Sequence, residues 1–279
     1  MGNSVFKDRL CASWDIHVNC NYRCPYCFYE EEWEEHKKRN LFLPAQEWIK
    51  YWNKIYQEYG CCHIDISGGE PFIYPSFLEL ISELSKVHSL GIVTNLSWEV
   101  GPFIDRISPA RVKLHPSFHP YCTGTDSFIE KLIILKKNGF ETSATCVGYP
   151  PILKNIVKHK DEFESKGLHI SLLPFVGVYQ GINYPHGYTV QEKELIDTIL
   201  NTPSARGYTM ERKSPKGKLC GTGYKYFRIR PEGSVYRCAN SKTIGNITDE
   251  NFKLFDKPMP CELDNCSCLN ELVYLIENI

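Results

Sequence analysis

Along the first two thirds of the chain, hydrophobic positions switch repeatedly between a period of two and a helical period. Ala12–Val18 reads as a strand, and Pro44–Tyr59 as a helix with Trp48, Trp52, Ile55, Tyr56 and Tyr59 on one face. Cys62–Ser67 is a short strand in which Ile64 and Ile66 point the same way. Pro75–Val87 opens on proline and carries Phe77, Leu80, Ile81 and Leu84 at helical spacing. Leu90–Asn95 and Ala110–His115 are the third and fourth strands. Ser127–Asn138 is a helix stopped by Gly139, and Glu141–Val147 is the fifth strand. Ile152–Ser165 is a helix stopped by Gly167, and Leu168–Leu173 is the sixth strand. Strand–helix repetition of this kind makes a parallel sheet with helices outside. About six units, where a full barrel has eight, predict an α/β fold: a partial (β/α)6 TIM-type barrel.

The pattern changes after Phe175. Gly177–Tyr188, rich in Gly, Tyr and Pro, reads as a loop, and Val190–Leu200 as a helix. Arg206–Leu219 is basic and turn-rich. Tyr226–Arg230 and Ser234–Arg237 flank Pro231-Glu232-Gly233, a hairpin signal. Pro258–Cys268 holds three cysteines among few apolar residues, and such a segment needs a metal to fold. The chain therefore divides into a barrel, residues 1–185, and a small metal-binding β-hairpin domain, residues 186–279. Glu30–Lys38 is a charge run that reads as a solvated loop or helix face.

Composition narrows the function. The 279 residues are 42% hydrophobic, enough for a core and against disorder. Lys+Arg number 32 and Asp+Glu 33, a net charge of -1, so no basic excess points to nucleic acid. No apolar run approaches the ~20 residues of a membrane span. Met1–Leu10 has no apolar signal region, so a cytoplasmic protein is expected. The 13 cysteines are then better read as metal or catalytic thiols than as disulfides.

Cys20, Cys24 and Cys27 follow the first strand at C-x3-C-x2-C spacing, and three thiolates so spaced can wrap one iron–sulfur cluster. Three ligands leave one iron of a four-iron cluster open. The competing reading is a zinc loop, which needs a fourth ligand, and His17 is the near candidate. Ser67-Gly68-Gly69-Glu70-Pro71 sits at the C-terminal end of the second strand, where parallel barrels carry their active sites. Glycine lets the backbone approach a ligand closely, and the glutamate can bind an ammonium group.

Together these residues resemble the radical S-adenosylmethionine (SAM) superfamily, over roughly Cys11–Phe175. The resemblance implies a [4Fe-4S] cluster on Cys20, Cys24 and Cys27, whose open iron chelates the methionine part of SAM. It implies reductive cleavage to a 5′-deoxyadenosyl radical that abstracts a substrate hydrogen atom, fed by an external electron donor such as flavodoxin or ferredoxin. Residue by residue, Tyr26 takes the aromatic position that contacts adenine in the family, and Gly68, Gly69 and Glu70 match the motif holding the amino group. Asn95 ends the third strand at a place for polar SAM contacts, and Ser117 matches a ribose-contacting position. Val147 and Leu173, at the ends of strands five and six, would line the adenine side.

The C-terminal cysteines resemble the SPASM and twitch extensions of the same superfamily. Cys220-x12-Gly233-x4-Cys238 matches their opening pattern, and Cys261, Cys266 and Cys268 follow. Four of these five thiols would hold a second, auxiliary [4Fe-4S] cluster, with Cys220 and Cys238 the firmest pair. A four-cysteine zinc ribbon is the alternative.

Cys122 lies on the loop after the fourth strand, where some radical SAM epimerases keep a hydrogen-donating cysteine, and it also reads as an incidental loop thiol. His115 and His119 flank the same end as candidate bases or scaffold. The substrate is a peptide or a small metabolite such as a sugar. Peptide-modifying members often carry an N-terminal recognition domain, and the ten or so residues before the first strand are expected to leave none here. The expected reaction is an oxidation, such as a dehydrogenation or cross-link, with the auxiliary cluster accepting an electron. Redox-neutral epimerisation through Cys122 is the rival, and a non-catalytic iron–sulfur or zinc electron carrier is the reading from another class.

Overall fold

Trp14, Ile16, Ile64 and Ile66 have no exposed surface, whereas Asp15 and Asp65 alternate with them on the opposite face of the same strands. That alternation sets two layers, an outer one packed on helices and an inner one facing a barrel lumen. The computed structural model describes residues 9–29, 33–196, 213–249, 252–266 and 269–276. Six parallel strands appear in the predicted order: β1 (Cys11–His17), β2 (His63–Gly68), β3 (Ser89–Thr94), β4 (Val112–Pro116), β5 (Ala144–Val147) and β6 (Ile170–Leu173). The helices are α1 (Trp33–Lys37), α2 (Ala45–Tyr59), α3 (Phe77–Leu84), α4 (Gly101–Ile104), α5 (Thr125–Lys137), α6 (Pro150–Leu153), α7 (Ile156–Glu164) and α8 (Val190–Ile196). β1 to β4 pair in parallel order, and β5 pairs with β6. Among the described residues a single β-bridge, Ser117 to Thr145, joins the two groups, and no closed barrel is found.

The outer layer is aromatic. Trp14 packs against Trp48 and Trp52 of α2, with ring centroids 4.8 and 5.4 Å apart. The inner layer is polar. Asp15 lies 2.8 Å from Arg228 and accepts the Ser67 hydroxyl at 2.8 Å. His63 pairs with Asp65 at 3.1 Å.

Beyond β6 the chain departs from the predicted loop. β7 (Gly177–Tyr179) and β8 (Ile182–Tyr184) form a tight hairpin, because Gln180 and Gly181 both adopt positive φ, as a type I′ turn requires. The predicted helix 152–165 is split in two, α6 starting on Pro150 and α7 after Asn155. The charge run ends in α1, whose Glu34 and Glu35 pair with Lys37, Lys38 and Arg39 at the surface, a solvated helix face. Residues 30–32, 197–212 and Cys268 lie outside the described residues.

The predicted C-terminal hairpin forms as β10 (Tyr226–Ile229) and β11 (Ser234–Tyr236), turning at Gly233 with φ 79°, and β12 (Thr243–Asn246) extends it. Sequence reasoning did not see where it goes. β10 pairs in parallel with the outer edge of β1, Cys11 facing Tyr226, so one seven-stranded sheet contains both parts. The pairing covers an edge that an incomplete barrel would leave bare. Among the described residues no helix is long and apolar enough to cross a membrane.

Candidate active site

β1 ends at His17, and the chain runs through Val18 and Asn19 straight into the cysteine loop. Backbone clamps the root of that loop: Gly69 N–H donates to the His17 carbonyl at 2.7 Å, and Glu70 N–H to the Asn19 carbonyl at 2.9 Å. Only glycine fits there. A Cβ on Gly68 would run into the His17 carbonyl, and one on Gly69 into the Asn19 carbonyl. Sequence reasoning gave these glycines to a ligand. The structure gives them also to the close approach of the β2 end to the cysteine loop.

Glu70 lies behind the wall they form, 1% exposed. Its carboxylate accepts hydrogen bonds from Asn95 N–H at 2.7 Å, the Thr94 hydroxyl at 2.8 Å and Phe72 N–H at 3.1 Å. Burial raises its pKa to about 7, against the pull of these donors. The carboxylate expected to meet an ammonium group is thus engaged in tying the β2 end to the β3 end, outside the lining of the cavity described next.

A cavity of ≈ 330 Å³ opens at the C-terminal strand ends. Cys20, Cys24 and Cys27 form one side of it, and Gly68, Gly69 and Asn95 another. Tyr26, Ser117, Val147 and His119 complete the predicted residues that reach it. Leu173 does not line it; the residues that follow, Pro174, Phe175 and Val176, do. Tyr22, Tyr29, Val93 and Thr94 were missed as lining residues. Tyr22 and Tyr29 had a legible signal, since they lie within or just beyond the cysteine loop, whereas Val93 depends on which strand face points inward.

Tyr26 holds the aromatic side of the cavity. Its hydroxyl meets His119 Nδ1 at 3.0 Å, and the two rings stack with centroids 5.8 Å apart. Burial lowers the His119 pKa to about 4, so the imidazole is neutral at pH 7. His115 sits elsewhere. It faces the lumen over Gly91, whose missing Cβ leaves room for the His115 and Asp65 side chains, and it does not line the cavity. Cys122 does not line it either; its sulfur lies 3.8 Å from that of Cys24.

The donor set suits a metal cluster. Burial raises the Cys20 and Cys24 thiols above their ordinary pKa, and for Cys24 the Cys122 thiol adds to the rise. A cationic metal centre is what would offset that burial and ionise them. His17, the candidate fourth zinc ligand, is turned away: it is fully buried, and its Nε2 donates to the Glu70 carbonyl at 3.0 Å. Among the described residues no three Cys, His, Asp or Glu side chains meet closely enough to hold a single metal ion.

In the C-terminal part, β9 (Leu219–Cys220) pairs with β13 (Met259–Pro260). This sets Met259 opposite Cys220 and packs Cys261 against a small apolar cluster of Cys11, Cys220, Tyr226 and Tyr274. Arg237, next to Cys238, reaches the same strand pair through the Met259 and Pro260 carbonyls, at 3.3 and 3.2 Å. Cys220 and Cys238 are both 7% exposed, and Cys266 is half-buried.

Comparison with known proteins agrees with this geometry. The profile of the radical SAM superfamily matches residues 14–162, and the chain belongs to that superfamily. GTP 3′,8-cyclase of Staphylococcus haemolyticus is 32% identical over 237 residues, covering 78% of this chain and 67% of that protein. PqqA peptide cyclase of Methylorubrum extorquens is 24% identical over 263 residues, covering 84% of this chain and 66% of that one. The chain thus spans about two thirds of the length of these curated relatives. Among solved structures, SuiB of Streptococcus suis superposes with a TM-score of 0.62 at 13% identity, covering 88% of this chain and 64% of that one. The AdoMet-bound anSMEcpe structure gives 0.62 at 18%, covering 86% and 78%.

Proposed function

We propose that this radical SAM enzyme oxidatively modifies a peptide. The carrying observation is one cavity that unites three loop thiols with the strand-end residues Gly68, Gly69, Asn95, Ser117 and Val147. In this reading Cys20, Cys24 and Cys27 hold the first cluster and the strand ends hold SAM. Cys220 and Cys238, with two of Cys261, Cys266 and Cys268, hold a second cluster in a C-terminal unit, residues 186–279. When bound, these groups supply hydrogen-atom abstraction and an electron sink.

The chain's own residues supply position. Glu70 fixes the β2 and β3 ends, so the cavity wall is rigid where SAM would lie. Tyr26 and His119 brace each other on one side of the cavity. Of the two candidate bases, only His119 reaches it, so the substrate proton passes there or to solvent. An external electron donor such as flavodoxin or ferredoxin starts each turnover.

Peptide substrates are supported by SuiB, solved with its precursor peptide SuiA, by anSMEcpe, solved with peptides, and by PqqA peptide cyclase. The match to GTP 3′,8-cyclase supports the small-molecule reading. The epimerase reading needs Cys122 to face the substrate, and its position beside Cys24, off the cavity wall, weighs against it.

The test is anaerobic turnover with SAM and a one-electron reductant. Oxidation predicts formation of 5′-deoxyadenosine and a product lighter by two hydrogens. A product of unchanged mass that takes up solvent deuterium, with activity lost in Cys122→Ala, would establish epimerisation instead.

A further inference from the structure

The cofactor cavity shares part of its wall with a neighbour. Tyr26, Phe28, Tyr29, Phe175 and Val176 also wall a second cavity of ≈ 520 Å³ that reaches the hairpin β10–β11. Its far side carries three guanidinium groups, those of Arg39, Arg228 and Arg230. Their surroundings differ. Arg228 is paired with the buried Asp15 at 2.8 Å and forms a neutral floor. Arg39 stands at the rim, 49% exposed, 3.4 Å from an exposed Glu35, a pairing that solvent weakens.

Arg230 is half-buried and held on two sides. Its guanidinium lies 4.4 Å over the Tyr236 ring, and its Nη2 donates to the Ala239 carbonyl at 3.0 Å. Among the described residues no carboxylate pairs with it at salt-bridge distance, although Glu232 lines the same cavity. These contacts set the plane of the guanidinium and leave further N–H groups for another partner. A planar cation fixed in a cavity wall, with no carboxylate at salt-bridge distance among the described residues, suits a carboxylate, which it grips with two parallel hydrogen bonds.

We propose that this second cavity seats the peptide segment being modified, and that Arg230, seconded by Arg39, binds an acidic side chain of that segment. The proposal rests on the peptide reading above. It explains why a chamber that shares a wall with the cofactor cavity borrows its charged side from the C-terminal hairpin: substrate selection then depends on β10 docking against β1.

The experiment uses the reconstituted enzyme loaded with SAM, without reductant, and two synthetic pools of random heptapeptides. The pools are identical except for a fixed central Glu in one and Gln in the other. Retained peptides are quantified by mass spectrometry. The Glu pool is expected to be retained about tenfold over the Gln pool, as one charge-assisted pair allows. That preference should collapse in Arg230→Gln, recover only in part in Arg230→Lys, and shrink about two- to threefold in Arg39→Gln. Iron content and melting temperature report whether each variant is folded. Should Arg230→Gln fail to fold, Arg39→Gln and the salt dependence of the wild-type preference decide the matter. Equal retention of both pools by the wild type, or an undiminished preference in a folded Arg230→Gln, overturns the proposal and leaves the peptide reading standing. Retention of neither pool overturns the peptide reading and this inference with it.

Discussion

Cys20, Cys24 and Cys27 share one loop, whereas Cys220, Cys238, Cys261, Cys266 and Cys268 are scattered from residue 220 to residue 268. The first set hangs from the end of β1, whose residues are all buried, and is clamped by backbone bonds from Gly69 and Glu70. The second set is joined by β9 and β13, each of two residues, and by side-chain contacts such as Arg237 to the Met259 and Pro260 carbonyls. A ligand set on one loop inherits its geometry from the scaffold, whereas a dispersed set has little else to order it and leans on its metal. The cofactor end should therefore persist when its ligands are removed, and the C-terminal end should not.

Replacing Cys20, Cys24 and Cys27 together with Ala tests the first half of that contrast. SAM cleavage should vanish and about half of some eight bound irons should be lost, with little change in melting temperature. SAM cleavage by that variant would sink the cluster assignment. Cys220→Ala tests the other half. It should lose the other half of the iron and substrate turnover, expose the C-terminal part to proteolysis, keep the first cluster, and still cleave SAM slowly. Stoichiometric zinc in the wild type, with iron for one cluster, would replace the auxiliary cluster by a zinc ribbon.

A smaller effect probes the seam between the two regions. Asp15→Asn leaves Arg228 uncompensated inside the sheet, and urea denaturation should show a loss of about 3–5 kcal/mol. A loss below about 1 kcal/mol would mean that the pair is solvated and that β10 docks without it.

The smallest effect is a pH dependence. Burial lowers the His17 pKa from 6.5 to about 4, so the unfolded chain takes up a proton first as pH falls. His17 should therefore cost about 3 kcal/mol of stability between pH 6.5 and 4. Glu70, raised to about 7, runs the other way, since its protonated form is favoured in the fold and its contribution is lost as pH rises toward 7. The difference between wild type and His17→Phe isolates the His17 share. Parallel stability curves for the two proteins over that window would refute the burial argument.

Legibility followed the range of the forces. The strands and helices of the barrel were readable because each carries its own period, such as Trp48, Trp52 and Ile55 on one face of α2. The hairpin β7–β8 was missed because its Gly- and Tyr-rich composition hides a turn that depends on two positive φ values. The cysteine loop, Gly68, Gly69, Tyr26, Asn95, Ser117 and Val147 were found as a set, and the structure gathers them around one cavity. Leu173, His115 and Cys122 lie off that wall. Whether a strand-end or loop residue reaches the wall is a distinction that spacing along the chain does not encode.

The sequence by itself determined what depends on neighbours along the chain: the strand–helix alternation, the thiol spacing, and the glycines at the end of β2. Tertiary structure decided the rest. It tied the Glu70 carboxylate to the Asn95 and Phe72 N–H groups and the Thr94 hydroxyl, placed Cys122 beside Cys24, and laid β10 on β1 with Arg228 against Asp15. Those outcomes depend on which buried polar group finds a partner once distant segments meet, because a buried group without one costs free energy. Such partners are chosen in space, between residues as far apart as 15 and 228, and no local pattern records the choice.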